Sequence, residues 1–252
     1  MIKEKNMIFG LRAVIEAIDA GKDIDKIFIR RELGGDLAKE LYQKVRQLEI
    51  PVQRVPLEKL NNITMKNHQG VVAFLSSITY HDITAIIPTL YEEGKSPFIV
   101  VLDGVSDVRN FGAIARTCEC AGVNAILVPA RRAAAANADS IKTSAGALHS
   151  IPVCRTENLE NAVKFLKESG LKIICVNEKA DKNFIKENYN LPLALVLGAE
   201  DMGISPEILT LADTKVSIPI LGKIQSLNVS VAAGIIIYKV VENRIFNKSK
   251  II

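Results

Sequence analysis

Three short runs set the strongest limit on how this chain can fold: Phe98–Leu102 (FIVVL), Lys172–Val176 (KIICV) and Leu193–Leu197 (LALVL). A strand that is apolar on both faces must be covered on both faces, the condition of a parallel sheet flanked by helices. The intervening sequence supplies those helices. Asn110–Ala121 carries a helical pattern, with Gly122 as its stop. Asn158–Glu168 places Leu159, Ala162, Val163 and Leu166 on one side and is closed by Gly170. Ala125–Val128 reads as a further strand, Asn137–Leu148 as an Ala- and Ser-rich helix, and Val216–Ile220 as a short strand broken at Pro219. Asn228–Phe246 reads as a long closing helix. Strand–helix alternation of this kind predicts an α/β fold with helices on both faces. The chain has no Trp, and aromatics make up 5%, so Ile, Leu, Val and Ala must build the core.

The first part alternates too. Gly10–Ala20 has a helical stripe (Leu11, Val14, Ile15, Ile18), Ile24–Ile29 reads as a strand, and Asp36–Leu48 as a second amphipathic helix. Pro51–Val55 and Val71–Leu75 read as strands around a short helix from Pro56 to Asn61. Residues 1–77 thus make a compact unit of a size that one core can support. Residues 78–97, punctuated by Asp82, Pro88, Gly94 and Pro97, read as a linker holding a short helix, Ile83–Tyr91; 98–252 form the second domain.

Composition narrows the class. Of 252 residues, 48% are hydrophobic and 24% charged, ordinary globular values that exclude disordered and fibrous classes. The longest apolar run, Val231–Ile237, is far below the ~18 residues of a membrane span. The first ten residues, MIKEKNMIFG, have no apolar core of a secretory signal. Cys118, Cys120, Cys154 and Cys175 form no CxxC pair and read as reduced thiols of a cytoplasmic protein. With three scattered His, no metal site is expected. The 32 basic and 28 acidic residues leave +4, which permits a nucleic-acid partner without requiring one; Arg30-Arg31, Arg131-Arg132, Lys3 with Lys5 and Lys248 with Lys250 are the local basic clusters.

Three stretches do not read as filler. Leu102–Gly122 (LDGVSDVRNFGAIARTCECAG) runs from a strand end through a polar loop into a helix, where ligands bind in open α/β sheets. It lacks GxGxxG and GxxxxGK[ST], which argues against a dinucleotide-binding oxidoreductase and excludes a P-loop. Asn110 is placed to cap the helix, and Arg116 lies amid Ala113, Ile114, Ala115 and Thr117. In Leu193–Ser205 (LALVLGAEDMGIS) a buried strand changes abruptly into Gly198, Glu200, Asp201 and Gly203, the signature of a binding loop. In Ser217–Gly234 (SIPILGKIQSLNVSVAAG) the polar Gln225, Ser226, Asn228 and Ser230 precede a helix, with Ser226 or Asn228 as its cap.

NFGAIAR, LGAEDMG and IPILGKIQSLNVSVAAG, in this order and spacing, resemble the three motifs of the SpoU (TrmH) family of RNA ribose 2′-O-methyltransferases. GLRAVIEAI and HQGVVA resemble the small substrate-binding domain of RlmB-like members. The resemblance implies a SPOUT-type parallel sheet with a C-terminal trefoil knot, preceded by a small N-terminal α/β substrate-binding domain. It implies S-adenosylmethionine as cofactor, held by Gly198, Ile218 and Leu227, with Glu200 and Gly203 shaping the same pocket. It implies Arg116 as the catalytic arginine, with Asn110, Glu200, Ser226 and Asn228 orienting it and the ribose. A guanidinium stays protonated at neutral pH, so it suits phosphate orientation and oxyanion stabilisation better than proton abstraction. No metal is required. It implies a homodimer, with the last helix (Val231, Ile235, Tyr238, Val241) at the interface, acting on RNA without a membrane.

A guanosine in large-subunit ribosomal RNA is the substrate that the RlmB-like resemblance implies. Transfer RNA, a ribosomal site of antibiotic resistance, and a catalytically silent RNA-binding or ribosome-assembly factor are the alternatives.

Overall fold

The computed structural model describes residues 7–48 and 50–248, with side chains as far as 245. Lys3, Lys5 and Lys250 of the terminal basic clusters lie outside the described residues. Contacts divide the chain into two units, one formed by the residues up to Thr79 with Ala135–Asn137, the other by the remainder.

The first unit is built on a four-stranded sheet of β1 (Met7–Phe9), β2 (Ile24–Arg30), β3 (Val52–Val55) and β4 (Val71–Leu75), in the order β1-β4-β2-β3. β2 and β3 are parallel, and β4 is antiparallel to both β1 and β2. Period-2 alternation gives the sheet two apolar faces. Ile27, Ile29, Val71 and Ala73 pack with Val14, Ile15 and Ile18 of α1 (Leu11–Asp19) and Leu41 and Val45 of α2 (Asp36–Gln47). On the other face Phe28, Val55, Val72 and Phe74 meet Leu60 of the short α3 (Leu57–Ile63). GLRAV and HQGVV, far apart in sequence, form one joint. Gln69 and Gly70 turn left-handed (φ 51° and 80°), the Gly10 N–H donates to Val71 O at 3.1 Å, and Gln69 Oε1 accepts from Leu11 N at 3.2 Å. The glutamine thereby satisfies an N–H at the start of α1, which has no capping side chain of its own. His68 belongs to the same joint: its Nδ1 accepts from Gly70 N at 3.0 Å, and its Nε2 lies 2.9 Å from Asn61 Oδ1.

The second unit holds seven parallel strands: β5 (Tyr80–His81), β6 (Phe98–Asp103), β7 (Ala125–Pro129), β8 (Val153–Thr156), β9 (Lys172–Val176), β10 (Leu193–Gly198) and β11 (Thr214–Val216). Their order is β11-β9-β10-β6-β7-β8-β5, and every pairing is parallel. The helices are α4 (Ile83–Glu92), α5 (Val108–Cys120), α6 (Ala138–Thr143), α7 (Leu159–Glu168), α8 (Pro206–Leu211) and α9 (Val229–Lys248). All five residues of the FIVVL run are buried, as are Leu193–Leu197 of LALVL.

Several boundaries differ from the sequence reading. β1, β5 and β8 were not expected; the first two are only three and two residues long, and β8 follows Pro152 directly. The stretch expected as a linker, 78–97, instead contributes β5 to the large sheet, and α4 buries Ile83, Ile87 and Leu90 in its core. The helix expected over Asn137–Leu148 is broken, because Ala145 and Gly146 turn left-handed (φ 50° and 88°) and only a single 3-10 turn, Ala147–His149, follows. The strand expected over Val216–Ile220 ends at Val216, and the chain leaves the sheet before Pro219, which has no N–H to offer a ladder.

A buried ion cluster fixes the crossover from β9 to β10. Glu187 has a nearly fully buried side chain (1% exposed) and accepts from Lys172 Nζ at 2.6 Å, Lys182 Nζ at 2.7 Å and Asn188 N at 2.7 Å. Burial alone would raise its pKa; the two ammonium groups and the amide outweigh that and hold the carboxyl at about 2, against an ordinary 4.5. A depressed folded-state pKa adds stability that is complete above the ordinary value and lost as pH falls towards 2. Glu187→Gln should therefore cost roughly 1–3 kcal/mol at neutral pH. Thermal melting followed from neutral pH down to pH 2 should show the two proteins converging in acid; parallel curves would contradict the assignment.

Arg244, on α9, closes the same end of the sheet. It donates to the carbonyls of Ser96, Pro97, Tyr189 and Leu191 at 3.0–3.4 Å, with its guanidinium over the Phe98 ring.

Candidate active site

The sheet has one point at which its order reverses. From β6 the chain builds outwards through β7 and β8, then crosses over to β9 and returns to insert β10 between β9 and β6. Loops leaving adjacent carboxyl ends at such a point diverge and leave a crevice, the default ligand site of an open parallel sheet. The three stretches singled out from sequence follow β6, β10 and β11.

The loop after β10 is closed on itself. Ala199 and Gly203 exchange backbone hydrogen bonds (3.2 and 2.9 Å), and Gly203 sits at φ 67°. Inside this turn there is no room for a side chain at Gly198: a Cβ there would lie 2.1 Å from Gly203 C and 2.3 Å from Ile204 N. The β6 end is tied in by Asp103, whose Oδ2 accepts from Ser205 N at 2.7 Å.

Beside this loop lies a cavity of about 390 Å³, within the ~300–1,000 Å³ of small-molecule sites. Gly198, Gly203, Ile218 and Leu227, the four positions assigned to the cofactor by resemblance, all line it, as do Glu200 and Ser226. Its apolar wall includes Leu197, Ile218 and Val229; its polar lining includes Glu178, Lys179 and Gln225. Glu178 and Lys179 were missed from sequence. Their signal was position alone, directly after β9 at the same end of the sheet.

Asn110, Glu200 and Asn228 converge from the three stretches. Glu200 Oε1 accepts from Asn110 Nδ2 at 3.1 Å, Asn228 Nδ2 at 2.5 Å and Val229 N at 3.3 Å, and Asn228 Nδ2 also donates to Asn110 Oδ1 at 3.1 Å. Three donors on one carboxylate oxygen fix its position. Asn228 caps α9, its Oδ1 accepting from Ser230 N and Ser230 Oγ, which selects it over Ser226. Asn110 is not the cap of α5. That role belongs to Asp107, whose Oδ1 accepts from Arg109 N and Asn110 N, and Asn110 is thereby free to reach Glu200. Asp107, two residues before Arg109, was the available signal.

Arg116 stands apart from this set. Six residues on from Asn110, it points about 120° away around α5. It is exposed, and among the described residues it has no hydrogen-bond or ion partner. The expected orientation of Arg116 by Asn110, Glu200, Ser226 and Asn228 is therefore not made within one chain. α5 packs against α9, on which Val231, Ile235 and Tyr238 are 50%, 37% and 51% exposed while Ala233, Ile236, Ile237 and Val240 are buried. The exposed stripe is the one expected at an interface; its fourth residue, Val241, is only partly exposed.

Two further observations bear on cofactor and membrane. Among the described residues, no three His, Cys, Asp or Glu side chains gather to hold a metal ion, and no helix is long and apolar enough to cross a membrane.

Comparison with known proteins gives a consistent result. The profile of the SpoU rRNA Methylase family matches residues 97–238, and that of the RNA 2′-O ribose methyltransferase substrate-binding domain matches residues 7–81. YacO of Bacillus subtilis, named for the TrmH family of tRNA/rRNA methyltransferases, is 32% identical over 97% of this chain and 98% of its own length. A Staphylococcus saprophyticus protein of the same family name is 33% identical over 96% and 97%. Among solved structures, the SpoU methyltransferase AviRb from Streptomyces viridochromogenes, in complex with AdoMet, superposes with a TM-score of 0.60 at 26% identity, covering 95% of this chain and 90% of that one. The A. aeolicus TrmH/SpoU tRNA modifying enzyme is 31% identical with a TM-score of 0.56, covering 66% of this chain and 85% of that one. Two family profiles that together span most of the chain, and relatives matched end to end, make it a member of the SpoU (TrmH) family of RNA methyltransferases.

Proposed function

We propose that this protein methylates a ribose 2′-hydroxyl, that of a guanosine, in large-subunit ribosomal RNA, with S-adenosylmethionine as methyl donor. The observation that carries this reading is the cavity at the sheet's reversal point, where Gly198, Gly203, Ile218, Leu227 and Ser226 meet Glu200. Its lining suits the donor. Leu197, Ile218 and Leu227 offer apolar contact to an adenosine, Gly198 lets the ligand approach the backbone, and the polar side gives a charged amino-acid tail partners. When bound, the donor supplies a methyl group activated by its sulfonium charge.

The residues of the chain supply the rest. Glu200 is held in place beside the cavity by Asn110 and Asn228, and this trio positions the ribose. Arg116 grips the phosphate next to the target and stabilises charge developing on the 2′-oxygen as its proton is lost. Its separation from Glu200 within one chain suggests that it acts across a homodimer. In this reading a second copy covers Val231, Ile235 and Tyr238 of α9, and Arg116 on neighbouring α5 completes the partner's site. The trefoil knot belongs to the same reading. The first unit binds the RNA.

Incubation with S-[methyl-³H]adenosylmethionine and unmodified ribosomal RNA should label the large-subunit RNA at one guanosine. Its 3′ linkage should resist alkaline hydrolysis, as 2′-O-methylation requires. Label on transfer RNA alone, or on a base, would overturn the substrate assignment; binding of RNA with no label would favour the silent-factor alternative.

A further inference from the structure

Strand order gives the cavity beside Gly198 two ends. Asn110 follows β6, on one side of β10, while β9 and β11 lie on the other. The trio of Asn110, Glu200 and Asn228 therefore marks one end. Val176, Glu178, Ile218 and Ile220, from the ends of β9 and β11 and the segments after them, make the other. Three acidic residues line the cavity. Glu200 Oε1 is taken up by three donors, and Asp201 Oδ1 accepts from Met202 N at 2.9 Å. The Glu178 side chain alone of the three has no hydrogen-bond or ion partner among the described residues.

Its backbone, by contrast, is pinned. Asn177 N donates to Val216 O at 2.9 Å, Ala180 N to Asn177 O at 3.0 Å, and Lys179 N to Asn177 Oδ1 at 2.8 Å, so Glu178 sits at the head of a closed turn. β9 and β10 end their ladder with Cys175 beside Val196. Glu178 lies three residues past that pair and Gly198 two, on adjacent parallel strands about 4.8 Å apart. A ligand drawn close to the backbone at Gly198 is therefore within reach of a carboxylate carried by the next strand. Dinucleotide-binding sheets divide the work in the same way: a glycine turn admits the ligand, and an acidic side chain further along takes a ribose hydroxyl.

We propose that Glu178 takes the vicinal ribose hydroxyls of the methyl donor's adenosine. The inference rests on the reading of this cavity as the donor's seat. Transfer needs the sulfonium methyl at the end marked by the trio. The adenosine then fills the end walled by Val176, Ile218 and Ile220, and its two ribose hydroxyls are the O–H donors it brings there. Two adjacent O–H groups match the two oxygens of one carboxylate, and such charge-assisted hydrogen bonds are short and strong.

The test is a thermodynamic cycle by calorimetric titration of the full chain. S-adenosylmethionine and its 2′,3′-dideoxyadenosyl analogue are each titrated into the native protein, Glu178→Ala and Glu178→Gln. Deleting either the carboxylate or the two hydroxyls should weaken binding about tenfold or more. Deleting both should cost little beyond one deletion, because each removes the same bonds, so the dideoxy analogue should bind the native protein and Glu178→Ala within about threefold of each other. Glu178→Gln keeps one acceptor oxygen, and its loss towards S-adenosylmethionine should be intermediate. Losses that multiply, about a hundredfold for the pair, or an unchanged affinity of Glu178→Ala for S-adenosylmethionine, overturn the proposal and leave the cavity as the donor's seat. A native protein that binds no S-adenosylmethionine overturns that reading and the proposal with it. Should Glu178→Ala melt early, the cycle is closed with Glu178→Gln, and losses that multiply there overturn the proposal as well.

Discussion

Arg116→Ala is expected to lower methyl transfer by about 10²–10³-fold while leaving donor affinity and melting temperature unchanged. The size follows from the role. A donor aimed at charge that develops only in the transition state contributes to turnover and not to ground-state binding. The clean separation from stability follows from position: Arg116 is exposed and has no partner among the described residues, so its removal costs the fold little, within about ±0.5 kcal/mol. Arg116→Lys keeps the charge but loses the two-pronged fork, so its activity should be intermediate. Mixing Arg116→Ala chains with chains whose own Glu200 is changed to Gln would show whether the arginine acts across the dimer. Partial activity in the mixture, absent from either variant alone, is the expected result. Full activity of Arg116→Ala would remove the arginine from the mechanism.

The sequence resolved the buried strands and the binding loops more clearly than the elements at the margins. FIVVL and LALVL could be placed because strands apolar on both faces have few alternatives, and they occupy the centre of the sheet. β5 and β8 were opaque: two and four residues, with Cys154 as part of the signal, do not differ locally from loop. The Asn137–Leu148 prediction failed because the alanines favour helix throughout and mask the break, which Ala145 and Gly146 make by turning left-handed. The cavity positions were legible by motif. Their meeting was implied by the family resemblance alone, because it depends on β10 inserting between β9 and β6, a long-range choice that no local pattern encodes. Asn110 shows the same limit from the other side. Its type fitted a cap, but Asp107 took that place and released it for Glu200.

Gly198→Ala is the second large effect. The added methyl would sit 2.1 Å from a backbone carbon and 2.4 Å from a backbone oxygen of Gly203, distances that no rotamer change relieves. The Ala199–Gly203 turn must then open, and with it the wall of the cavity. Overpacking of this kind costs ~1–3 kcal/mol, tolerable for a sheet whose strands are otherwise untouched, while the ligand's seat is lost. Leu227→Arg reaches the same end by a different route, placing a long charged side chain into the cavity from a position already 37% exposed. Calorimetric titration of S-adenosylmethionine into the native protein and these two variants therefore tests the central claim most directly. The account predicts one donor bound per native chain and at least about tenfold weaker binding in both variants, with their far-ultraviolet circular dichroism unchanged. Undiminished binding by both would place the methyl donor somewhere other than the cavity beside Gly198.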